Sequence, residues 1–197
     1  MRRLKLAWAI VCSLASTECI AEQRALLVGV SDYDNSFGIT DLNGPSNDVR
    51  LMSEVLTGFG FEDVTILSSD MDDTNQPTRS AIMGALATLA DRSEEGDFIY
   101  VHLSGHGTQQ QDPEGEESDG LDEVFLPADT GRSEPGSGLW PNAIVDDDLG
   151  AAISVFRAKG VNVWLVMATR KMRTRPNMSR IWFSQNIALM MNDSSWP

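Results

Sequence analysis

Asp97-Phe-Ile-Tyr-Val-His-Leu-Ser-Gly-His-Gly-Thr108 is the stretch that decides the fold. Its first seven residues form an almost unbroken apolar run of strand length, and a strand apolar at successive positions is one buried on both faces. Similar runs stand at Arg24–Val30, Val64–Leu67 and Val161–Met167. Segments of helical period lie between them. Within Ser46–Leu56, Val49, Met52, Val55 and Leu56 recur at helical spacing, with Ser46 or Asn47 as cap and Gly58 as stop. Thr78 caps a second helix whose Ile82, Leu86 and Leu89 share a face, and a third helix runs from about Asp146 to Lys159. Strands that alternate with helices, rather than with two-residue hairpins, pair in parallel, so the expected fold is α/β with a mostly parallel sheet covered on both faces. The insert from Thr108 to Val145 exceeds ordinary loop lengths, which marks it as functional.

The chain has 197 residues, a length suited to one domain. Its formal charge of −14 repels nucleic acid and anionic membranes and favours cationic substrates or metal ions. The charge is unevenly spread: Glu22–Thr169 holds 7 basic and 27 acidic residues, whereas Arg170–Pro197 holds 5 basic residues and a single acidic one, Asp193. Met1–Ala21 reads as a secretory signal peptide, because Arg2, Arg3 and Lys5 precede the apolar Leu6–Leu14 and Cys19-Ile-Ala21 offers a small residue before a cut. A retained anchor is the alternative, although the apolar run falls short of the roughly 20 residues needed to cross a bilayer. Secreted or periplasmic localisation follows from the first reading. Cys12 and Cys19 would leave with the leader, and the mature chain would have neither disulfide nor thiolate.

In open α/β sheets the reactive groups collect beyond the carboxyl ends of strands, which directs attention to Ser104-Gly-His-Gly-Thr108. Glycines on either side of His106 bring backbone amides close to a reacting atom, and a catalytic role fits this position better than a turn histidine. His102 lies four residues earlier, roughly 13 Å along a strand, too far to share an ion with His106, and reads as structural. A serine hydrolase using Ser104 beside His106 is a weaker possibility, since neighbouring strand-end positions do not normally direct both side chains at one substrate. Asp48 has the alternative of simply beginning its helix, and Asp146, Asp147 and Asp148 that of complementing a helix dipole. Hard oxygen donors outside the cytoplasm also suit calcium.

Five motifs in order resemble the caspase-like large-subunit domain of the metacaspase and bacterial peptidase C14 group. They are Arg24–Val30, Leu42-Asn-Gly-Pro-Ser-Asn-Asp-Val49, His102-Leu-Ser-Gly-His-Gly-Thr-Gln109, Asp119-Gly-Leu-Asp-Glu-Val124 and Ile144-Val-Asp-Asp-Asp-Leu149. The resemblance covers about residues 24–167 and implies a three-layer caspase-like fold, incomplete on its C-terminal side. It implies cysteine-type endopeptidase activity after Arg or Lys, so that the partner is a basic peptide or protein. His106 would be the general acid or base, and the Gly107 amide an oxyanion donor. Asp48 and Ser104 would line an acidic pocket for the basic side chain. Asp122, Asp146 and Asp147 would bind an activating calcium ion.

One departure changes the chemistry. The family carries its nucleophile after the fourth strand in an Asp-x-Cys-His-Ser-Gly pattern, where this chain reads Ala168-Thr-Arg-Lys-Met-Arg173. Arg170 stands at the cysteine position, and a guanidinium stays protonated and is no nucleophile. The expected organisation is therefore a leader at 1–21, a caspase-like domain at 22–167 and a divergent tail at 168–197. In that tail Ile181, Trp182, Phe183, Ile187, Leu189, Met190 and Met191 suggest a short amphipathic helix, which would leave the edge of the fourth strand open. Two readings of function remain: a cysteine-endopeptidase domain inactive in this chain, and a noncatalytic peptide-binding module that depends on calcium.

Overall fold

The computed structural model describes residues 21–133, 136, 138–171 and 187–191. In chain order the elements are β1 (Gln23–Gly29), α1 (Pro45–Gly58), β2 (Asp63–Ser68), α2 (Arg79–Arg92), β3 (Phe98–Gln111), β4 (Leu121–Leu126), β5 (Ile144–Val145), α3 (Asp146–Ala158), β6 (Asn162–Lys171) and β7 (Ile187–Met191). β2, β1, β3 and β6 lie side by side in parallel, in that order. One register row runs Ile66, Leu27, His102, Val166. β7 adds antiparallel to the outer edge of β6.

Strand alternation sends successive side chains to opposite faces and so divides the core in two. Ala25, Leu27 and Tyr100 face α1 and meet Val49 and Leu56. Leu26, Val28, Ile99, Val101, Val163 and Leu165 face α2 and α3 and meet Ile82, Leu86, Ile153 and Phe156. The product is helix, sheet, helix: an α/β three-layer arrangement with a mostly parallel sheet, as expected.

Several boundaries differ from the sequence reading. β3 does not stop at Leu103 but continues to Gln111, because β4 and β6 supply partners to its backbone through the Gly-His-Gly stretch. The long insert contains β4, which runs antiparallel beside β3, and β5, which runs antiparallel on the far side of β4. His106 and Gly107 pair with both β4 and β6, so β4 occupies the edge of β3 that β1 leaves after Gly29. β6 runs through Ala168 to Lys171, so the start of the tail is strand. Residues 187–191 are strand rather than helix and fill the edge of β6, whereas Ile181, Trp182 and Phe183 lie outside the described residues. Ser46 and Asn47 do not cap α1. Pro45 opens the helix after Gly44, and the Ser46 hydroxyl lies 2.8 Å from that of Ser31 instead. Thr78 caps α2 as expected, its Oγ1 accepting from the Ala81 amide at 3.2 Å.

Gly29 sets how closely α1 approaches the sheet. A Cβ there would stand 2.7 Å from the Pro45 carbonyl oxygen and 3.1 Å from Val49. Gly29→Ala is expected to push α1 off the end of β1 and cost about 1–3 kcal/mol, the range for overpacking a tight contact. The urea unfolding midpoint checks it; an unchanged midpoint would show that α1 can shift freely.

Candidate active site

The α1 face of β3 presents Tyr100, His102, Ser104 and His106 in a row, and register places Trp164, Val166, Ala168 and Arg170 of β6 beside them. Paired residues in neighbouring strands point to the same side of a sheet. Asp48, in the first turn of α1, comes down onto this row: Ser104 Oγ donates to Asp48 Oδ2 at 2.8 Å. Two residues 56 positions apart in sequence are thus brought together.

His106 is only 3% exposed. Its Nε2 lies 2.8 Å from the Thr40 carbonyl oxygen and its Nδ1 lies 3.1 Å from the carbonyl oxygen of Arg170. Carbonyls only accept, and a neutral imidazole carries one N–H, so it donates to one of the two at a time. The His106 amide donates to Tyr33 Oη at 2.9 Å, and the Tyr33 hydroxyl donates to the Leu126 carbonyl at 3.1 Å. Burial pushes the Tyr33 phenol well above its usual range, against the opposing effect of the His106 amide, and keeps it a donor. Gly105 makes room for that hydroxyl: a Cβ would lie 2.9 Å from Tyr33 Oη and 3.1 Å from Phe125. Gly107 lies in register with Phe125 on one side and Lys171 on the other, close against Thr169.

Ser104 and His106 do share a face, yet no Ser–His pair forms. The Ser104 hydroxyl goes to Asp48 and the ring nitrogens of His106 face the carbonyls of Thr40 and Arg170, so these side chains do not form the nucleophile–base bond of a serine hydrolase. Arg170 is exposed, in register with His106.

His102 is buried beside them, stacked on Tyr100 with ring centroids 6.4 Å apart, and neither ring nitrogen has a hydrogen-bond partner. Burial lowers its proton affinity below the usual histidine range, and the charge of Asp48 opposes this. A structural role fits, although the packing leaves two polar atoms unsatisfied.

The acidic residues gather elsewhere, in a cleft of about 600 Å³ lined by Gln110, Glu114, Asp122, Trp140 and Asp147. Ligand oxygens of Asp112, Glu114 and Asp122 lie within 4.8 Å of one another. Asp122 is buried, and burial together with the charges of Asp112, Asp147 and Glu114 raises its carboxyl against the effect of Gln110. Asp146 is pushed up to about 6 by burial and then by Glu123, Asp147 and Asp122. The structure therefore draws Asp122, Asp146 and Asp147 into one zone of negative charge, while the closest oxygen cluster uses Asp112 and Glu114. Those two were not singled out from the sequence, although the acidic bias of Asp112–Glu123 marked their segment. The donor set is all oxygen, which fits a hard cation. Asp148 is otherwise engaged, accepting from Arg79 Nη2 at 2.7 Å and from the Val145 amide at 3.2 Å.

A family model of the metacaspase, peptidase C14 domain matches residues 23–172. Metacaspase-1 of Pyricularia oryzae is 37% identical over 138 residues, covering 68% of this chain and 32% of that protein. Metacaspase-1A of Aspergillus niger is 38% identical over 117 residues, 57% of this chain and 28% of that protein. The chain spans about a third of the length of these curated relatives. A crystal structure of a protein from Geobacter sulfurreducens superposes with a TM-score of 0.59 at 28% identity, over 75% of this chain and 50% of that one.

The unpaired His102 generates a pH-dependent expectation. The unfolded chain accepts a proton near pH 6.5 that the folded protein resists, so the stability attached to this ring is complete above that pH and is lost as pH falls below it. His102→Phe removes two unsatisfied atoms while keeping the stack on Tyr100. Its expected effect is a gain of order 1 kcal/mol at pH 7 that widens at pH 5.5. Urea midpoints at both pH values decide; a gap that fails to widen would mean that the buried ring is protonated without cost.

Proposed function

The chain belongs to the metacaspase, peptidase C14 family, whose chemistry is cysteine-type peptide hydrolysis, and from that premise we propose that this chain binds basic peptides without cleaving them. The observation that carries the reading is the register of Arg170 with His106. Neighbouring strands lie about 4.8 Å apart, so position 170 stands next to His106 on the α1 face. A thiol there would give its proton to the imidazole and attack a carbonyl carbon; a guanidinium does neither. The chain's cysteines are Cys12 and Cys19, both outside the 23–172 match.

The binding half of the proposal rests on Asp48. Its carboxylate is fixed by the Ser104 hydroxyl at the top of β3, where it suits the guanidinium or ammonium of an incoming Arg or Lys. Ala168, in register with Ser104, stands where a second pocket carboxylate is expected, so the charge available to a basic side chain is halved. Affinity for a basic peptide should accordingly be modest and sensitive to salt.

Calcium belongs to the same proposal. Asp112, Glu114 and Asp122 would hold the ion with Asp147 lining the cleft, and its charge would offset both the burial and the neighbouring charges that raise Asp122 and Asp146. A site so partly exposed, with Asp112 and Glu114 on a surface turn, should bind in the range of extracellular modules, about 10⁻⁴ to 10⁻³ M.

Fluorogenic peptides with Arg or Lys before the scissile bond are expected to remain uncleaved with or without millimolar calcium. Turnover that disappears in a His106→Ala variant would overturn the proposal. Arg170→Cys is expected to place a thiol beside His106 whose alkylation rate at pH 7 exceeds that of the same thiol in an Arg170→Cys, His106→Ala variant; equal rates would mean that the two positions do not meet. Titration calorimetry tests the ion. Asp112→Asn, Asp122→Asn should abolish the calcium heat of the parent chain, and equal heats would remove the cleft as a metal site.

A further inference from the structure

At the end of the sheet opposite His106, Asp97 is 2% exposed and gathers three donors. Its Oδ2 accepts from Arg24 Nη1 at 2.7 Å and from the Glu94 amide at 3.0 Å, and its Oδ1 accepts from the Glu22 backbone nitrogen at 2.8 Å. Burial alone would raise this carboxyl; the donors outweigh it and hold it below the usual range. Glu22 is pinned at two further points. Its carbonyl accepts from the Phe98 amide at 2.9 Å, and its carboxylate pairs with Arg24. Arg24 also lies 3.6 Å from Asp63, and Asp63 meets Arg92 at 2.6 Å. Two cations thus face three carboxylates, Glu22, Asp63 and Asp97, with Glu94 on the same turn, and the network is one positive charge short.

The nitrogen that reaches Asp97 is the one released by a cut between Ala21 and Glu22, the position at which the sequence places the end of the leader. We infer that cleavage after Ala21 creates a partly buried ion pair between the new α-ammonium of Glu22 and Asp97, so that leader removal locks the start of β1 to the turn before β3. The step is hydrolysis: water adds across the Ala21–Glu22 amide, the C–N bond breaks, Ala21 leaves with a carboxylate, and the nitrogen of Glu22 becomes an ammonium. No atom has to move far, because the hydrogen bond to Asp97 already exists and only the charge of its donor changes. The added positive charge brings the network to balance, and a charge-assisted bond to a buried carboxylate is stronger than one from a neutral amide. Asp97 is the counterion, while Arg24 lies on its other oxygen, so the two cations share one carboxylate without competing for the same atom. This inference is independent of the peptidase reading.

The experiment compares the chain beginning at Glu22 with the full precursor, in which the same nitrogen is a neutral amide. An unperturbed α-amino group titrates near pH 7.7–8.0, and a paired one titrates higher. Because the folded value is raised, the added stability is complete below about pH 8 and is lost as pH rises through the folded value. The expected result is a higher urea midpoint for the Glu22 chain at pH 7, with the gap closing towards pH 10, and a ¹³C-detected titration of the Glu22 α-amino group shifted above pH 8. Asp97→Asn should erase both effects; if that variant does not fold, the titration of the unmutated chain decides by itself. Parallel pH profiles for the two chains, or an α-amino group titrating at its ordinary value, would overturn the ion pair. N-terminal sequencing of the chain exported by a secreting host should begin at Glu22, and a different start would overturn the cleavage.

Discussion

At Ser104–His106 the central strand changes partners, and the active-site row exists only because its backbone stays satisfied there. β1 pairs with β3 as far as Ser104, and β4 takes over the same edge at His106 with the opposite direction. A parallel and an antiparallel ladder cannot merge without leaving backbone groups at the join, and a buried unpaired amide or carbonyl costs on the order of 1–3 kcal/mol. Here the Ser104 carbonyl accepts from the Val30 amide at 2.9 Å, and the His106 amide donates to the Tyr33 hydroxyl. That hydroxyl in turn donates a hydrogen bond to the Leu126 carbonyl on β4, so one phenol stitches β3 to β4 across the join. Gly105 has to be glycine for the phenol to enter.

Because β3 remains a strand through this junction, His106 inherits a fixed direction. It points to the α1 face with Ser104, and the residue beside it is dictated by the parallel register with β6. Chemistry at this place therefore depends on what stands at position 170, and the scaffold around it, with Asp48 above Ser104 and the two glycines flanking His106, is retained although the partner is an arginine. The same continuity separates the two kinds of acidic residue. Asp48 comes from the helix on the α1 side, whereas Asp112 and Glu114 belong to the connection that carries the chain from β3 into β4, and Asp122 stands at the start of β4. Burial first, and then the charges of neighbouring carboxylates, raise Asp122 and Asp146 in this region.

The sheet is consequently polar at both ends in different ways. One end collects uncompensated negative charge around the β3–β4 connection. The other holds a compact network in which Arg24 and Arg92 face Glu22, Asp63 and Asp97, one carboxylate more than its cations. The net charge of −14 describes neither end by itself.

Much of this was legible in the sequence, and its limits have a physical cause. Apolar runs and helical spacing report burial, which is local, so β1, β2, α2, α3 and the buried part of β3 could be read directly; so could Thr78 as a cap, since a cap acts within three residues. The substitution at Arg170 was equally plain, because the nature of a side chain needs no structure. Partners distant in the chain were not legible. The extension of β3 through Gly-His-Gly, the antiparallel turn of β4, the strand at 187–191 and the bond from Ser31 that occupies Ser46 all depend on which backbone or hydroxyl arrives from elsewhere. Asp112 and Glu114 looked like ordinary solvated charge, and His102 gave no warning that its ring would lie in a packed layer with both nitrogens unpaired. Sequence determined which residues bear charge, proton or thiol and which must be buried; only tertiary structure decided which of them meet, because hydrogen bonds and charge repulsion act over a few ångströms in space and are indifferent to separation along the chain.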